Sequence, residues 1–295
     1  MVTVKVPATS ANLGSGFDAL GLALTMYNTV SMEEYDGVKI ESLDNTRVPR
    51  DESNLIYSTA RRLYDICGRR FTGLHIKQTN DIPMTRGLGS SSACLIAGLL
   101  GANELLGRPM NGGELLNLAA AIEGHPDNVA PALLGGLVTC AMDGGLVHSV
   151  SVPVSESVRF AVMIPDFTLK TSLARSVLPQ TISRSDAVFN LSRAALMTSS
   201  LFSGNLEHLR IATQDRLHQP YRLQLIRGGD SALRISRELG AYGSYISGAG
   251  PSIVAIIDRE NTAFESEAQR QLKKNGIFGW RICLLDCDEN GAAVL

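Results

Sequence analysis

No block of lysine and arginine stands out in this chain, and its formal net charge is only −2. The electrostatic footprint of a nucleic-acid binder is therefore missing, and small ligands are the expected partners. No apolar run is long enough to span a bilayer: the longest uncharged one, SACLIAGLLGAN, falls well short of the roughly 20 residues a membrane helix needs. The opening MVTVKVPATSAN lacks the charged-then-apolar layout of a signal peptide, so the expectation is a cytoplasmic protein with no membrane partner. Cysteine is scarce. Cys67, Cys94, Cys140, Cys283 and Cys287 make an odd number without a CxxC pair, which suits reduced core thiols and not a disulfide framework or a zinc site. Internal repeats and low-complexity segments are absent as well.

What is present is a chain of 295 residues, 44% hydrophobic and 19% charged, able to bury a large core and to form two globular domains. TVKVPA alternates like a strand, and MYNTVSMEEY and GVKIESL read as a twisted strand pair joined by the DG turn. SNLIYSTARRLYDICG has apolar residues at helical spacing, with Ser53 placed to cap its start and Gly68 its end; GLHIKQT then alternates again. A polar loop, NDIPMTRGLGSSS, leads into two helices, the apolar one after the serines and GGELLNLAAAIEG, whose end Gly124 and Pro126 mark. Strands return in GGLVTCAMDGGLVHSVSV. Near Pro153 the pattern restarts with VRFAVMIP, giving expected domains of 1–153 and 154–295. The second half is helix-rich, from DAVFNLSRAALMTSSLFSG and DSALRISRELG through a strand pair around SYISGAGPSIVAII to the helix FESEAQRQLKKNG and a last strand, WRICLLD. This order predicts an α+β fold rather than a regular βαβ alternation.

The stretch GLGSSSA, residues 87–93, sets glycines and serines at the mouth of an apolar helix. Close packing and helix capping by serine would explain it without any function. GSSSA also approximates a nucleophile elbow, G-x-S-x-G, with Ser91 as acyl-transfer nucleophile, but that turn needs a strand running directly into the serine. Asn80, Asp81 and Pro83 intervene, so the context is wrong. Anion binding fits better: glycines let backbone N–H groups turn inward, hydroxyls add donors, and the helix N-terminus adds partial positive charge. The chain has no GxxxxGK[ST], no HRD or DFG kinase signature, and no GxGxxG following a strand. The residues thus reach a phosphate cradle of an uncommon type.

PMTRGLGSSSA, Pro83 to Ala93, resembles the P-x-x-x-G-L-G-S-S-A-A loop of the GHMP kinases, which phosphorylate galactose, homoserine, mevalonate and phosphomevalonate. KVPATSANLGSGFDALGLAL resembles the first motif of that family, and SGAGPSIVAI resembles its third, a glycine-rich loop between strands. TSANLGSGFDALGLAL and EGHPDNVAPALLGG are similar in particular to the members that act on homoserine. Ser92 departs from the commonest motif, which has alanine there. The resemblance implies the two-domain α+β GHMP fold, with an N-terminal domain like domain 2 of ribosomal protein S5, a ferredoxin-like C-terminal domain, and the nucleotide between them. It implies ATP-dependent phosphorylation of L-homoserine to O-phospho-L-homoserine, a step of threonine biosynthesis, with ATP and Mg2+ as cofactors. Members of the family are often dimers, so a homodimer belongs to the expectation. Two alternatives stay open: a GHMP kinase for another small alcohol of the mevalonate or sugar type, and a non-catalytic ATP-binding relative.

The same resemblance assigns residues. Pro83, Arg86, Gly87, Leu88, Gly89, Ser90, Ser91, Ser92 and Ala93 form the nucleotide loop, with the N–H groups of Gly87 to Ser92 on the phosphates. Ser91 and Glu123 are the expected magnesium partners; one carboxylate suffices, because magnesium keeps most of its waters. Homoserine is a zwitterion with a primary hydroxyl, so its carboxylate calls for arginine and its ammonium for an acid. Arg175 and Arg222 match the carboxylate-binding arginines, while Asp18 and Asn12 match the residues at the amino end. Asn128, with Thr171 nearby, is expected at the reacting hydroxyl. His125 reads as structural or loop-ordering and Asp127 as a cap, leaving no convincing general base. A loose phosphoryl-transfer transition state needs little help from one, since the hydroxyl proton can pass to the γ-phosphate.

Overall fold

A computed structural model describes residues 1–44 and 46–295. Its first sheet is built from β1 (Val2–Ala11), β2 (Leu20–Glu34), β3 (Gly37–Ser42), β4 (Gly73–Asn80), β5 (Leu137–Asp143) and β6 (Leu146–Val152), with a last strand described below. β2 is long enough to serve several neighbours: it pairs antiparallel with β1, with β4 through Asn28–Glu34 and with β5 through Leu20–Leu22. The β1–β2 register shifts between Pro7 and Ala8, where proline has no N–H to give to a ladder. The bend aims the end of β1, with Thr9, toward the site.

Four helices belong to this half: α1 (Leu55–Ile66), α2 (Ser90–Leu105), α3 (Gly112–Glu123) and α4 (Pro126–Leu134). α2 is apolar on nearly every side and is correspondingly enclosed, touching β1, β2, α1, α3 and α4. Three sequence expectations need correction. The strands β2 and β3 are not a hairpin pair, because β4 lies between them, parallel to β3 and antiparallel to β2. The cap of α1 is Asn54, whose side chain accepts from the N–H of Ile56 and Tyr57, while the Ser53 hydroxyl binds Asp51. A third helix follows the serine loop: Gly124 ends α3 in the left-handed region, and Pro126, at a first-turn position where its missing N–H costs nothing, starts α4.

The second sheet has the order β10-β7-β9-β8 and is antiparallel throughout. Its elements are β7 (Val158–Pro165), α5 (Thr171–Ser176), α6 (Arg184–Ser203), the short α7 (Leu209–Ala212) and α8 (Gln219–Arg222), α9 (Gly229–Glu238), β8 (Gly243–Ile246), β9 (Ile253–Asp258), α10 (Phe264–Lys274) and β10 (Trp280–Leu285). The chain then returns. β11 (Ala293–Val294) pairs with β1, so the last residues complete the first sheet and the second unit is not 154–295 undivided. One hydrophobic core joins the two halves, with Phe160, Tyr245 and Ile256 packed in the same cluster as Val4, Leu22 and Leu88; a second core lies beneath α9 and α10. All five cysteines are free, and burial pushes the Cys140 thiol up to about 12. Among the described residues no helix is long and apolar enough to cross a membrane.

Candidate active site

A cavity of about 370 Å³ lies where the serine loop, the turn after β1, the start of α4 and the α5 and α8 segments converge. Its phosphate-loop wall is shaped by backbone geometry. Gly87 and Gly89 adopt φ of +71° and +66°, and a Cβ on Gly89 would run into the Thr9 hydroxyl, which is what requires glycine there. The loop is pinned from behind: the Thr9 N–H donates to Leu88 O (3.2 Å), the Ser247 hydroxyl to Gly87 O (2.5 Å), and the Leu169 N–H to Thr85 O (3.2 Å). Gly89 is the N-cap residue of α2 and no side chain caps the helix. Serine capping therefore does not account for the sequence. Among the described residues, no protein group accepts from the N–H groups of Gly87 through Ser92; the first intrahelical bond is Ala93 N to Gly89 O. Such a row of unpartnered donors at a helix N-terminus, facing a cavity, has the chemistry that suits an anion.

Most of the expected loop residues line this cavity, with two exceptions. Ala93 is fully buried, because the helical turn rotates it inward onto the core, and Pro83 lines a separate cleft beside Trp280. The Arg86 side chain is also occupied, donating to the carbonyls of Pro165 (2.8 Å), Met84 (3.1 Å) and Asp166 (2.6 Å). These bonds anchor the loop to the second sheet and engage Nε, Nη1 and Nη2 once each, while Arg86 still lines the cavity. Ser91 is exposed at the cavity, whereas Ser92 is buried and donates to Glu123 Oε1 at 3.0 Å. The departure from alanine thus orients the expected metal-side carboxylate. An exposed hydroxyl and a nearby carboxylate are hard oxygen donors, the set that suits magnesium.

At the other end stand the charged residues. Asp18 and Arg175 form a bidentate pair with bonds of 2.7 and 3.1 Å. Arg222 is 2% exposed, yet its bonds run to neutral groups: Nε to Ala174 O (3.2 Å), and Nη1 to Gly248 O (3.0 Å) and His218 Nδ1 (3.2 Å). Its Nη2 has no protein acceptor among the described residues. Burial, reinforced by the charge of Arg175, pushes its pKa down to about 10, so it remains a cation at neutral pH without a carboxylate of its own. A buried cation in that condition calls for an anion.

Asn12, at φ +71°, accepts from the Asp18 N–H (3.0 Å) and donates to Gly248 O (3.0 Å). It shapes the turn that carries Asp18 and lines the cavity, with one lone pair of Oδ1 engaged by that N–H. Asn128 accepts from the Thr9 hydroxyl (2.8 Å), and Thr171 opens α5 at the cavity edge. His125 Nδ1 lies 2.6 Å from Asp127 Oδ1. Burial pushes the His125 pKa down, but its bond to Asp127 and the charges of Asp127 and Asp18 outweigh that, and the net shift is upward. Ligand atoms of Asp18, His125 and Asp127 fall within 4.8 Å of one another, though Asp18 is committed to Arg175 and Asp127 to His125. Sequence reasoning missed Thr9, Phe17, His218 and Ser247. The visible signal was the four-residue spacing of His218 and Arg222 in HQPYR.

The GHMP kinases N terminal domain model matches residues 54–136 and the GHMP kinases C terminal model residues 197–277. Homoserine kinase of Caldicellulosiruptor bescii is 45% identical over all of this chain and 97% of its own length. The chain belongs to the homoserine kinase family. Homoserine kinase of Clostridium beijerinckii is likewise 45% identical, over 99% of its length. Among solved structures, homoserine kinase from Cytophaga hutchinsonii superposes with a TM-score of 0.87 at 30% identity, covering 100% of this chain and 97% of that one. A mevalonate kinase from L. major, at 15% identity and a TM-score of 0.72 over 98% of this chain and 96% of its own, shares the fold. The two-domain α+β GHMP architecture and a phosphotransferase activity on a hydroxyl group follow from this membership.

Proposed function

We propose that this family member transfers the γ-phosphoryl group of ATP to the side-chain hydroxyl of L-homoserine, giving O-phospho-L-homoserine and ADP. The observation that carries the reading is the pairing, in one cavity, of an unpartnered N–H row at Gly87 to Ser92 with a buried Arg222 that has no carboxylate. The first suits a polyphosphate and the second an amino-acid carboxylate. Phosphoryl transfer asks a protein mainly for positioning and for charge neutralisation. The loop amides and the α2 dipole would hold the β- and γ-phosphates. Ser91 and Glu123 would hold magnesium, with Ser92 fixing the carboxylate's rotamer; the ion would neutralise phosphate charge. Homoserine would exchange the Asp18–Arg175 pair for two new ones, its ammonium on Asp18 and its carboxylate on Arg175 and Arg222, leaving its hydroxyl near Asn128 and Thr171.

In the reaction the homoserine oxygen bonds to the γ-phosphorus, the bond from that phosphorus to the β–γ bridging oxygen breaks, and the hydroxyl proton passes to a γ-phosphate oxygen. A protein base is not required for this route, because in a loose phosphoryl-transfer transition state deprotonation of the nucleophile can lag behind bond breaking. ADP release measured with L-homoserine, L-threonine, L-serine, mevalonate and galactose tests the proposal. L-homoserine should give the highest kcat/KM. A site that pairs charges rejects ligands lacking them, so a higher value for mevalonate or galactose would discard the substrate and keep the kinase.

A further inference from the structure

His218 is fully buried and makes no part of the cavity wall, yet both of its ring nitrogens are committed. A guanidinium can only donate, so Nδ1 must offer its lone pair to Arg222 Nη1 at 3.2 Å, which leaves the ring proton on Nε2, 2.7 Å from Gly14 O. The face of the ring stacks on Phe17, with centroids 5.2 Å apart and planes 26° from parallel. The same Phe17 ring lies 5.2 Å from the Arg222 guanidinium carbon and 5.6 Å from that of Arg175. Gly14 and Phe17 belong to the turn that presents Asp18. One imidazole therefore touches the arginine on one side and the Asp18 turn on the other.

The frame around it is closed. Asp215 accepts from the N–H groups of Leu217 (2.9 Å), His218 (2.9 Å) and Gln219 (2.6 Å), and from the amide of Asn190 (2.6 Å), which also donates to Ser15 O (2.9 Å) in the same turn. The charged groups acting on the ring are Arg222, Asp215 and Asp18, with Asp215 Oδ2 3.7 Å from Nε2. Burial holds the His218 pKa below its usual value, and protonation of Nδ1 would break the Arg222 bond and set two cations together.

We propose that His218 is a positioning residue that holds the Arg222 guanidinium in the arrangement that reads a carboxylate, and so makes the site selective for an amino alcohol that also carries a carboxylate. This rests on the homoserine kinase reading above. It is tested with His218→Leu and with two acceptors, L-homoserine and 3-amino-1-propanol, which keeps the hydroxyl and ammonium but has no carboxylate. His218→Leu should raise the KM for L-homoserine roughly 10- to 100-fold, as expected when a buried charged donor loses its acceptor, with a much smaller change in kcat and in the KM for ATP. His218→Asn, which can still accept from Arg222, should recover most of that loss. With 3-amino-1-propanol the leucine variant and the wild type should differ by less than about threefold, since the carboxylate that Arg222 reads is gone. An equal loss on both acceptors, or no rise in KM for L-homoserine, overturns the proposal. A second measurement needs neither a variant nor turnover: the imidazole 15N shifts of the wild type should report a neutral ring protonated at Nε2 between about pH 6 and 8. A charged ring or the Nδ1–H tautomer would overturn it too, whereas a wild type that releases no ADP with L-homoserine would overturn the kinase reading.

Discussion

His125 and Asp127 form a close pair, 2.6 Å apart, whose contribution to stability depends on pH. Asp127 is 1% exposed, and its partner histidine has its pKa raised, so the pair is stabilising when the imidazole is charged. A raised folded-state pKa means that the contribution is complete below the unfolded value near 6.5 and disappears as pH climbs through the folded one. His125→Asn should therefore lower stability by roughly 1–3 kcal/mol at pH near 6, the range for a hydrogen bond to a charged group, and by less as pH rises. Thermal unfolding of both proteins across that range checks the slope. If the reaction runs without a protein base, the kcat–pH profile of the variant also keeps its shape; loss of an ionisation would promote His125 to that role.

At the level of elements, α2 and its loop act as one device: the apolar helix is rigidly enclosed, and its exposed end is where the donors gather. Gly89→Val puts a branched side chain at φ +66° against Thr9 and should weaken MgATP binding in calorimetry about tenfold or more, with ordinary affinity counting against the phosphate cradle. The strands β1 and β4 and the helical spacing of α1 and α10 could be read from the chain, because their signals lie in neighbouring residues, although both strands are enclosed along most of their length and their burial does not alternate. What could not be read depends on distant partners. Nothing in GVKIESL says that β4, from beyond a whole helix, will slip between it and β2. Likewise the motif gives Arg86 a place in the loop, but the carbonyls of Pro165 and Asp166 that occupy its guanidinium come from the second sheet. His218 escaped notice for the same reason, its partner Gly14 lying about 200 residues away.

In the whole molecule the two sheets are tied by more than the shared core. The segment after β10 runs back along β2, with Asp288 accepting from the Tyr27 hydroxyl (2.8 Å) and from the N–H of Gly291 (2.7 Å), and ends with β11 on the outer edge of β1. Removing residues 292–295 should cost a few kcal/mol of stability at most, since only a short ladder is lost, but it uncovers an unpaired strand edge. Denaturant titration measures the first effect, and light scattering of the truncated protein at rising concentration measures the second. Unchanged unfolding midpoint and unchanged solubility would mean that β11 contributes neither stability nor protection.

β1 and its outer neighbour β11 pair across a long stretch of chain, Val4 with Val294, so a ribosome releases the one well before the other. At about 5–20 residues per second, on the order of 15–60 s separate the two, an interval in which Val4 and Lys5 of β1 have one flank unclaimed. A nascent chain can assemble β1, β2, β4 and the serine loop early, but this edge closes only once β11 has been released. A chain lacking β11 would carry all the loop residues and yet present an unpaired margin at Val4 and Lys5, the kind of strand edge that invites association with other chains.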